Sequence, residues 1–496
     1  MQPLHFALAA FLLFTACSRD PVTESDPRVP GAADDDEPPP GVEREVDARA
    51  PATRDAGVVA RPVDAAVPEP PAPEDDDDAS TTETTPDAGP PPGPTELPSC
   101  PSSAPEEFTA NASVGGGGGA FKDSPHFRIY GGSDAQSKAA IDMLEAAYSC
   151  FVETLCWRSS GLSYNATNDD GPYTKVNIYV VGSLTGAAGV MSSDARAGMS
   201  FLRVVSNYLS DPNVTVHEYG HALTYHERGW VDQTRTGAWW ETVANWVADT
   251  YMTSALCAPA REARGLPEGK TIIDLNKVIG SSFQVLVDGS SGSGNYYQAW
   301  PFLTFLTTNL DRYPGLGPTG LRDLFRKHMR NNETPLHVLA RVAAPTTVQE
   351  IVGRYWARMA YLDIGHPQAQ QAFLSQRSRL NFANLDASGS GYRVKSGRRP
   401  RYLGANIIPL KGSGTISARV QSADPFTATL VVRSGSSVRY VVLKDGAAEA
   451  TLSGNDEASL VVVNTPTKLY DYDPFSISAE AARGLDYTVE LTGATP

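Results

Sequence analysis

Within Asp211-Pro212-Asn213-Val214-Thr215-Val216-His217-Glu218-Tyr219-Gly220-His221-Ala222-Leu223, two histidines stand four residues apart and a glutamate directly follows the first. On a helix, positions i and i+4 lie one above the other, so His217 and His221 can aim their imidazoles at one ion. Glu218 is turned about 100° from His217 and stands beside such an ion rather than on it. That arrangement suits a zinc site in which the carboxylate takes a proton from a water activated by the metal. The helix carries its own signals. Ser210 or Asp211 can cap its N-terminus, Pro212 suits its first position, and Gly229 lies just past its end.

The segment from Gly237 to Asp249, GAWWETVANWVAD, is strongly apolar and interrupted by few polar residues. Burying an unpaired carboxylate is costly, and metal coordination is one of the few ways to relieve the cost. Glu241, 20 positions after His221, is therefore the candidate third ligand, against the plainer reading of a half-exposed glutamate on an amphipathic helix. Asn245, one turn further on, can hydrogen-bond a ligand imidazole from behind. His226 follows His221 by five positions, which turns it about 140° away, so it reads as a surface or packing histidine. A metzincin site would want glycine and histidine where Thr224 and Glu227 stand.

With HEYGH and WWETVANW both present, the chain resembles the gluzincin branch of zinc metallopeptidases, in which two helix histidines and a downstream glutamate hold the metal. It is also similar to a family of secreted bacterial proteins with this pair of helices, a preceding strand region and a C-terminal all-β module. The resemblance covers roughly residues 120 to 496. It implies zinc on His217, His221 and Glu241. Glu218 would be general base toward the water and acid toward the leaving amine of a peptide or protein substrate, with endopeptidase action favoured. Asn295-Tyr296-Tyr297-Gln298-Ala299-Trp300 resembles a tyrosine-headed helix that follows the glutamate ligand in several gluzincins. There the tyrosine donates to an oxyanion. Alignment puts that role on Tyr296, with Tyr297 as the alternate and a packed aromatic as the plainer reading.

Around these residues, His126–Tyr130, Lys175–Val181 and Met199–Val205 read as strands, and about 135–157 as a helix with Ile141, Leu144, Tyr148, Phe151 and Leu155 inward. In zinc peptidases of this shape the strand before the zinc helix is often the sheet edge that takes an extended substrate; an ordinary core strand is the other reading of Met199–Val205. Gly115–Gly119 reads as flexible and 258–294 as glycine-rich loop. Helices between Gly320 and Leu374 complete the domain. From about Tyr402 the pattern changes to period two with turns such as Asp445-Gly446, which suggests a β-sandwich. Asp471 and Asp473 there suit calcium or plain surface turns. The expected fold is α+β, a zincin-like metallopeptidase domain of small sheet plus helices at 104–400, followed by an all-β sandwich at 401–496.

Residues 1–16 hold an apolar run too short to span a bilayer and read as a secretory signal. Phe14-Thr15-Ala16-Cys17 looks like a lipobox, which would lipidate Cys17 and anchor an exported protein to a bacterial membrane, at the outer membrane or cell surface. From Ser18 to Ser103 there is no Phe, Tyr or Trp, and 19 of the 38 prolines fall there. Such a tether (17–103 with Cys17) cannot bury enough apolar surface to fold. It holds 21 acidic and six basic residues, nearly all of the net charge of −16. The rest is close to neutral, which argues against nucleic acid as a partner. Its span would be on the order of 50 Å.

Besides Cys17 there are Cys100, Cys150, Cys156 and Cys257. In an exported chain this even number predicts two disulfides. Cys150 and Cys156, about 9 Å apart on one helix, are too distant to join each other, so each should pair with Cys100 or Cys257. A thiolate zinc site is the lesser reading, since no CxxC is present. Two functions remain in view: a surface-anchored zinc metallopeptidase, and a binding or adhesion lipoprotein that keeps zinc as scaffold and recognises partners through its sandwich. The His, Glu, His and Glu set favours the enzyme, because structural zinc sites close their fourth position with another protein ligand.

Overall fold

The computed structural model describes residues 97, 99, 100, 104–228, 230 and 233–496. The expected signal, Cys17, Gly229 and the tether up to residue 96 lie outside the described residues.

Five strands form the first sheet: β1 (Phe121–Asp123), β2 (Phe127–Tyr130), β3 (Val176–Val181), β4 (Gly189–Asp194) and β5 (Met199–Val205). They run in the order β1-β2-β3-β5-β4; β2, β3 and β5 are parallel, and the outermost pairs are antiparallel. A parallel pair needs a crossover, and α1 (Asp134–Tyr148) lies in the one between β2 and β3. A capping box of Ser133 and Gln136 starts α1, and a π-helical stretch, Ser149–Thr154, extends it. Leu144, Tyr148, Phe151 and Leu155 of this unit are buried in one core with Ile178 of β3 and Leu202 and Val204 of β5.

β5 is not the sheet edge. It lies between β3 and β4, and β4, which the sequence pattern did not show as a strand, takes the edge position. Its Gly-Val-Met-Ser-Ser-Asp composition hides the alternation that marks a half-buried strand.

The helical part comprises α2 (Pro212–Glu227), α3 (Gln233–Thr253), the short α4 (Ala258–Glu262), α5 (Leu275–Val278) and α6 (Asn295–Gln298), then α7 (Trp300–Thr308), α8 (Gly320–Lys327), α9 (Pro335–Val342), α10 (Val348–Met359) and α11 (Pro367–Gln376). Leu321, Leu324, Phe325, Val338, Leu339, Ile351, Tyr355 and Met359 are all buried. Disulfides join Cys100 to Cys156 and Cys150 to Cys257, and the second ties the π-helical stretch to the segment after α3.

Eight strands follow: β6 (Leu385–Ser388), β7 (Gly391–Val394), β8 (Ala405–Gln421), β9 (Phe426–Ser434), β10 (Ser437–Val442), β11 (Ala447–Leu452), β12 (Glu457–Asn464) and β13 (Thr488–Thr495), with α12 (Ala479–Ala482) before the last. The sheet thus starts at Leu385, ahead of the expected boundary at 401. The first half of the long β8 pairs with β12, which pairs with β9; the second half pairs with β13 and β11. Leu430, Val432, Leu460 and Val462 from one side share a core with Ile416, Val420, Leu452 and Val489 from the other. Asp445 and Gly446 both have positive φ (50° and 73°), as the hairpin turn there requires. The chain is a mixed α+β protein with a sheet-rich C-terminal region.

Candidate metal centre

α2 begins on Asp211, whose carboxylate accepts from the Asn213 N–H, with Pro212 in its first turn. It packs closely against α3 because Gly220 has no side chain. A Cβ there would stand 2.9 Å from the Cα of Ala244 and 3.1 Å from the Cβ of Val247. The glycine inside HEYGH therefore sets how near α3 can bring Glu241.

Three atoms converge at this crossing. His217 Nε2 lies 3.2 Å from His221 Nε2 and 3.2 Å from Glu241 Oε2, and His221 Nε2 lies 3.3 Å from the same oxygen. All three residues are buried. The triangle is nearly equilateral, and a tetrahedron with edges of that length has its centre about 2.0 Å from each corner, the length of a zinc bond to imidazole or carboxylate. The donors present fit zinc. Among the described residues no other group of His, Cys, Asp and Glu converges in this way.

The surroundings set the chemical state of the donors. His217 Nδ1 stands 2.7 Å from Asn245 Oδ1, and Asn245 Nδ2 donates to the Tyr297 carbonyl at 2.5 Å. That second bond fixes which end of the amide faces His217. Nδ1–H must then donate to Oδ1, which leaves the Nε2 lone pair for a metal. Burial pushes the His221 imidazole down, with the nearby Glu241 only partly offsetting it. Burial acts to raise the Glu241 carboxyl, but the two imidazoles override it and hold it below the usual carboxylate range. A neutral histidine beside an ionised glutamate is the state that metal binding needs.

Glu218, fully buried, does not belong to the triangle and lies toward the edge strand. A Cβ on Gly189, the first residue of β4, would be 2.8 Å from Glu218 Cγ and 3.2 Å from its Oε1. The carboxylate thus packs against the start of β4.

α3 also holds the tyrosines. Thr242 Oγ1 donates to the Tyr296 carbonyl at 2.7 Å, one residue after Glu241, as Asn245 does to that of Tyr297. The Tyr297 ring centroid is 6.3 Å from that of His217, and the Tyr296 ring is tilted against Tyr297 at 4.5 Å. The alternate of the two expected residues thus has its ring near His217.

His226 faces away from the triangle. Its Nδ1 pairs with the Leu162 carbonyl at 2.7 Å and its Nε2 with Ser200 Oγ on β5 at 2.9 Å, and burial pushes its pKa down to about 3. Glu227 turns to Arg326 and to the Arg158 N–H. Gly189 carries a part of the arrangement that the sequence did not single out.

Two buried helices that cross on a glycine bring His217, His221 and Glu241 together, a group that could hold a metal ion, in a mixed α+β protein. The chain belongs to a family of unknown function, DUF6055, which matches residues 132–496. A search of curated proteins finds no match to it.

Proposed function

We propose that the chain is a zinc metallopeptidase of the gluzincin kind, exported and held at a bacterial surface through a lipid on Cys17. The observation that carries this reading is the triangle of His217, His221 and Glu241 at zinc-bonding separations, with Glu218 beside it and outside it. Three protein donors would leave a position for water, as catalytic zinc sites do. A small mixed sheet with an antiparallel edge strand, packed on α2, which in turn packs on α3, supports a zincin-like fold. Two strand sets joined by β8 over a shared core support a C-terminal sandwich.

Zinc, when bound, supplies Lewis acidity that activates water and polarises a carbonyl. Glu218 would accept the proton of the attacking water and return it to the leaving amine, an exchange its buried position shields from solvent. Tyr297, with Tyr296 as the other candidate, would donate from its hydroxyl to the negative charge that develops on the carbonyl oxygen. Asn245 keeps His217 in one tautomer throughout. β4, the edge strand beside Glu218, would pair with an extended peptide.

Glu218→Gln tests this reading, because it keeps size and hydrogen-bonding reach but cannot accept the proton. Zinc content and melting temperature should stay near wild type. Chelator-sensitive peptide hydrolysis should fall by about a hundredfold or more, general-base terms being about 10² to 10⁴. Tyr297→Phe should lose more than Tyr296→Phe. If Glu218→Gln cleaves as fast as wild type, the mechanism is wrong. If zinc-loaded wild type cleaves nothing in a broad peptide library, the protein is a zinc-scaffolded binding protein instead.

A further inference from the structure

Segments far apart in sequence meet beside the metal centre. From His217 outward, ring follows ring: Tyr297 at 6.3 Å, Tyr296 at 4.5 Å from Tyr297, and then Phe475 at 6.1 Å from Tyr296, edge to face at 75°. Phe475 comes from the sheet-rich C-terminal region, between β12 and α12, and it keeps 40 % of its surface exposed. Few large apolar side chains here are so exposed, and exposed apolar surface forgoes about 25 cal/mol per Å².

The ring is nevertheless held in place. Gly289 N–H donates to the Pro474 carbonyl at 2.8 Å, Tyr472 OH donates to the Val287 carbonyl at 3.2 Å, and Phe475 N–H donates to Asp473 Oδ1 at 2.9 Å. A Cβ on Gly289 would lie 2.9 Å from Phe475 Cδ1 and 2.8 Å from the Cβ of Ala238, one turn of α3 before Glu241. The C-terminal region therefore grips the loop that leads to Tyr296 and sets its own phenyl ring against it. A fixed, half-exposed ring continuous with a metal centre is placed to bury something apolar.

We propose that Phe475 walls a substrate subsite next to the metal centre, formed with Tyr296 and taking an aliphatic or aromatic side chain of a bound peptide. This rests on reading the centre as a peptide-hydrolysing zinc site. The C-terminal region would then set side-chain preference, while the ligand helices supply the chemistry.

Binding tests it without turnover. The full zinc-loaded chain is titrated with peptide hydroxamates that carry Gly, Leu or Phe at each position in turn, with acetohydroxamate as the reference for the metal anchor alone. Wild type should favour Leu or Phe over Gly at one position by about tenfold or more, the scale of a well-filled apolar pocket. Phe475→Ala should reduce that preference to about twofold or less, with zinc content unchanged, and Phe475→Leu should retain part of it. No apolar preference at any position in wild type would overturn the proposal, and so would a preference that survives in Phe475→Ala. Hydrolysis of a peptide library by the same wild-type protein, measured separately, decides the peptidase reading, so the two can fail independently.

Discussion

Gly220→Ala puts the geometry of the metal centre to its most direct test. The added methyl would meet the Ala244 Cα at 2.9 Å and the Val247 Cβ at 3.1 Å. Carbon atoms settle at about 3.5–4.0 Å, so α2 and α3 must part by roughly 0.6–1 Å, and the first obstacle is backbone that no rotamer change can remove. Donor positions in a metal site tolerate about 0.2 Å, well under that displacement. Overpacking of this kind costs about 1–3 kcal/mol. If the zinc-free protein relaxes by separating the helices, zinc must draw them together again, and the same energy appears as an affinity loss of about 5- to 150-fold. Zinc affinity from chelator competition and denaturant midpoints with and without zinc read both effects. Gly182→Ala, where a Cβ meets nothing within 4 Å, is the control. Wild-type affinity together with a wild-type midpoint in Gly220→Ala would refute the claim that this glycine sets the approach of Glu241.

Asn245→Ala should weaken zinc by about 10- to 100-fold, the usual cost of losing a partner behind a ligand; Asn245→Asp, which keeps the acceptor for His217 Nδ1, should weaken it far less, and equal losses in the two would discredit the tautomer argument. His226 titrates in the folded chain at about 3, depressed by burial from the ordinary 6.5. Above 6.5 neither state is protonated there, and as pH falls from 6.5 toward 3 only the unfolded chain takes the proton, so stability declines across that window. Denaturant unfolding of the zinc-free protein at several pH values should give a shallower decline for His226→Gln than for wild type; parallel slopes would exclude His226 as a contributor.

That His217, His221 and Glu241 would converge was legible because each part had a local signature: four-residue spacing for the histidines, and a carboxylate in an apolar helix for Glu241. Asn245 was legible for the same reason, one helical turn from a ligand. The edge strand was not, since Gly189–Asp194 owes its strand conformation to pairing with β5 rather than to its own residues. Gly189 itself matters only through Glu218, a contact between residues 29 positions apart. The placement of the Tyr296 and Tyr297 rings was equally hidden. Adjacent residues share every composition signal, and only the grip of Thr242 and Asn245 on successive carbonyls turns Tyr297 toward His217. The even cysteine count predicted two bridges, whereas the partner of Cys150 depends on how the α1 unit packs beside α4.

Residues on the two sides of position 400 share one core. Ile407, Val431, Val461 and Val463 face away from the C-terminal core and lie in the same core as α10, so one face of that sheet is interior to the helical part. At the margin of this contact, Arg358 of α10 pairs with Asp311 and Asp363, Tyr440 of β10 donates to Asp363 at 2.6 Å, and Arg354 sits 3.8 Å over the Tyr440 ring. Arg358 and Asp311 are mostly buried, and such pairs cost free energy unless their geometry is held, so the clamp binds the C-terminal strands to one register against α10. The segment that carries Tyr472 and Phe475 starts directly from β12, one of the strands fixed there. Fixing β12 fixes where Phe475 meets Tyr296, and Tyr296 stacks on the tyrosine beside His217. The C-terminal sheet thus helps to place Phe475 against Tyr296, and cutting the chain near residue 400 would expose apolar surface on α10 and free Phe475 together.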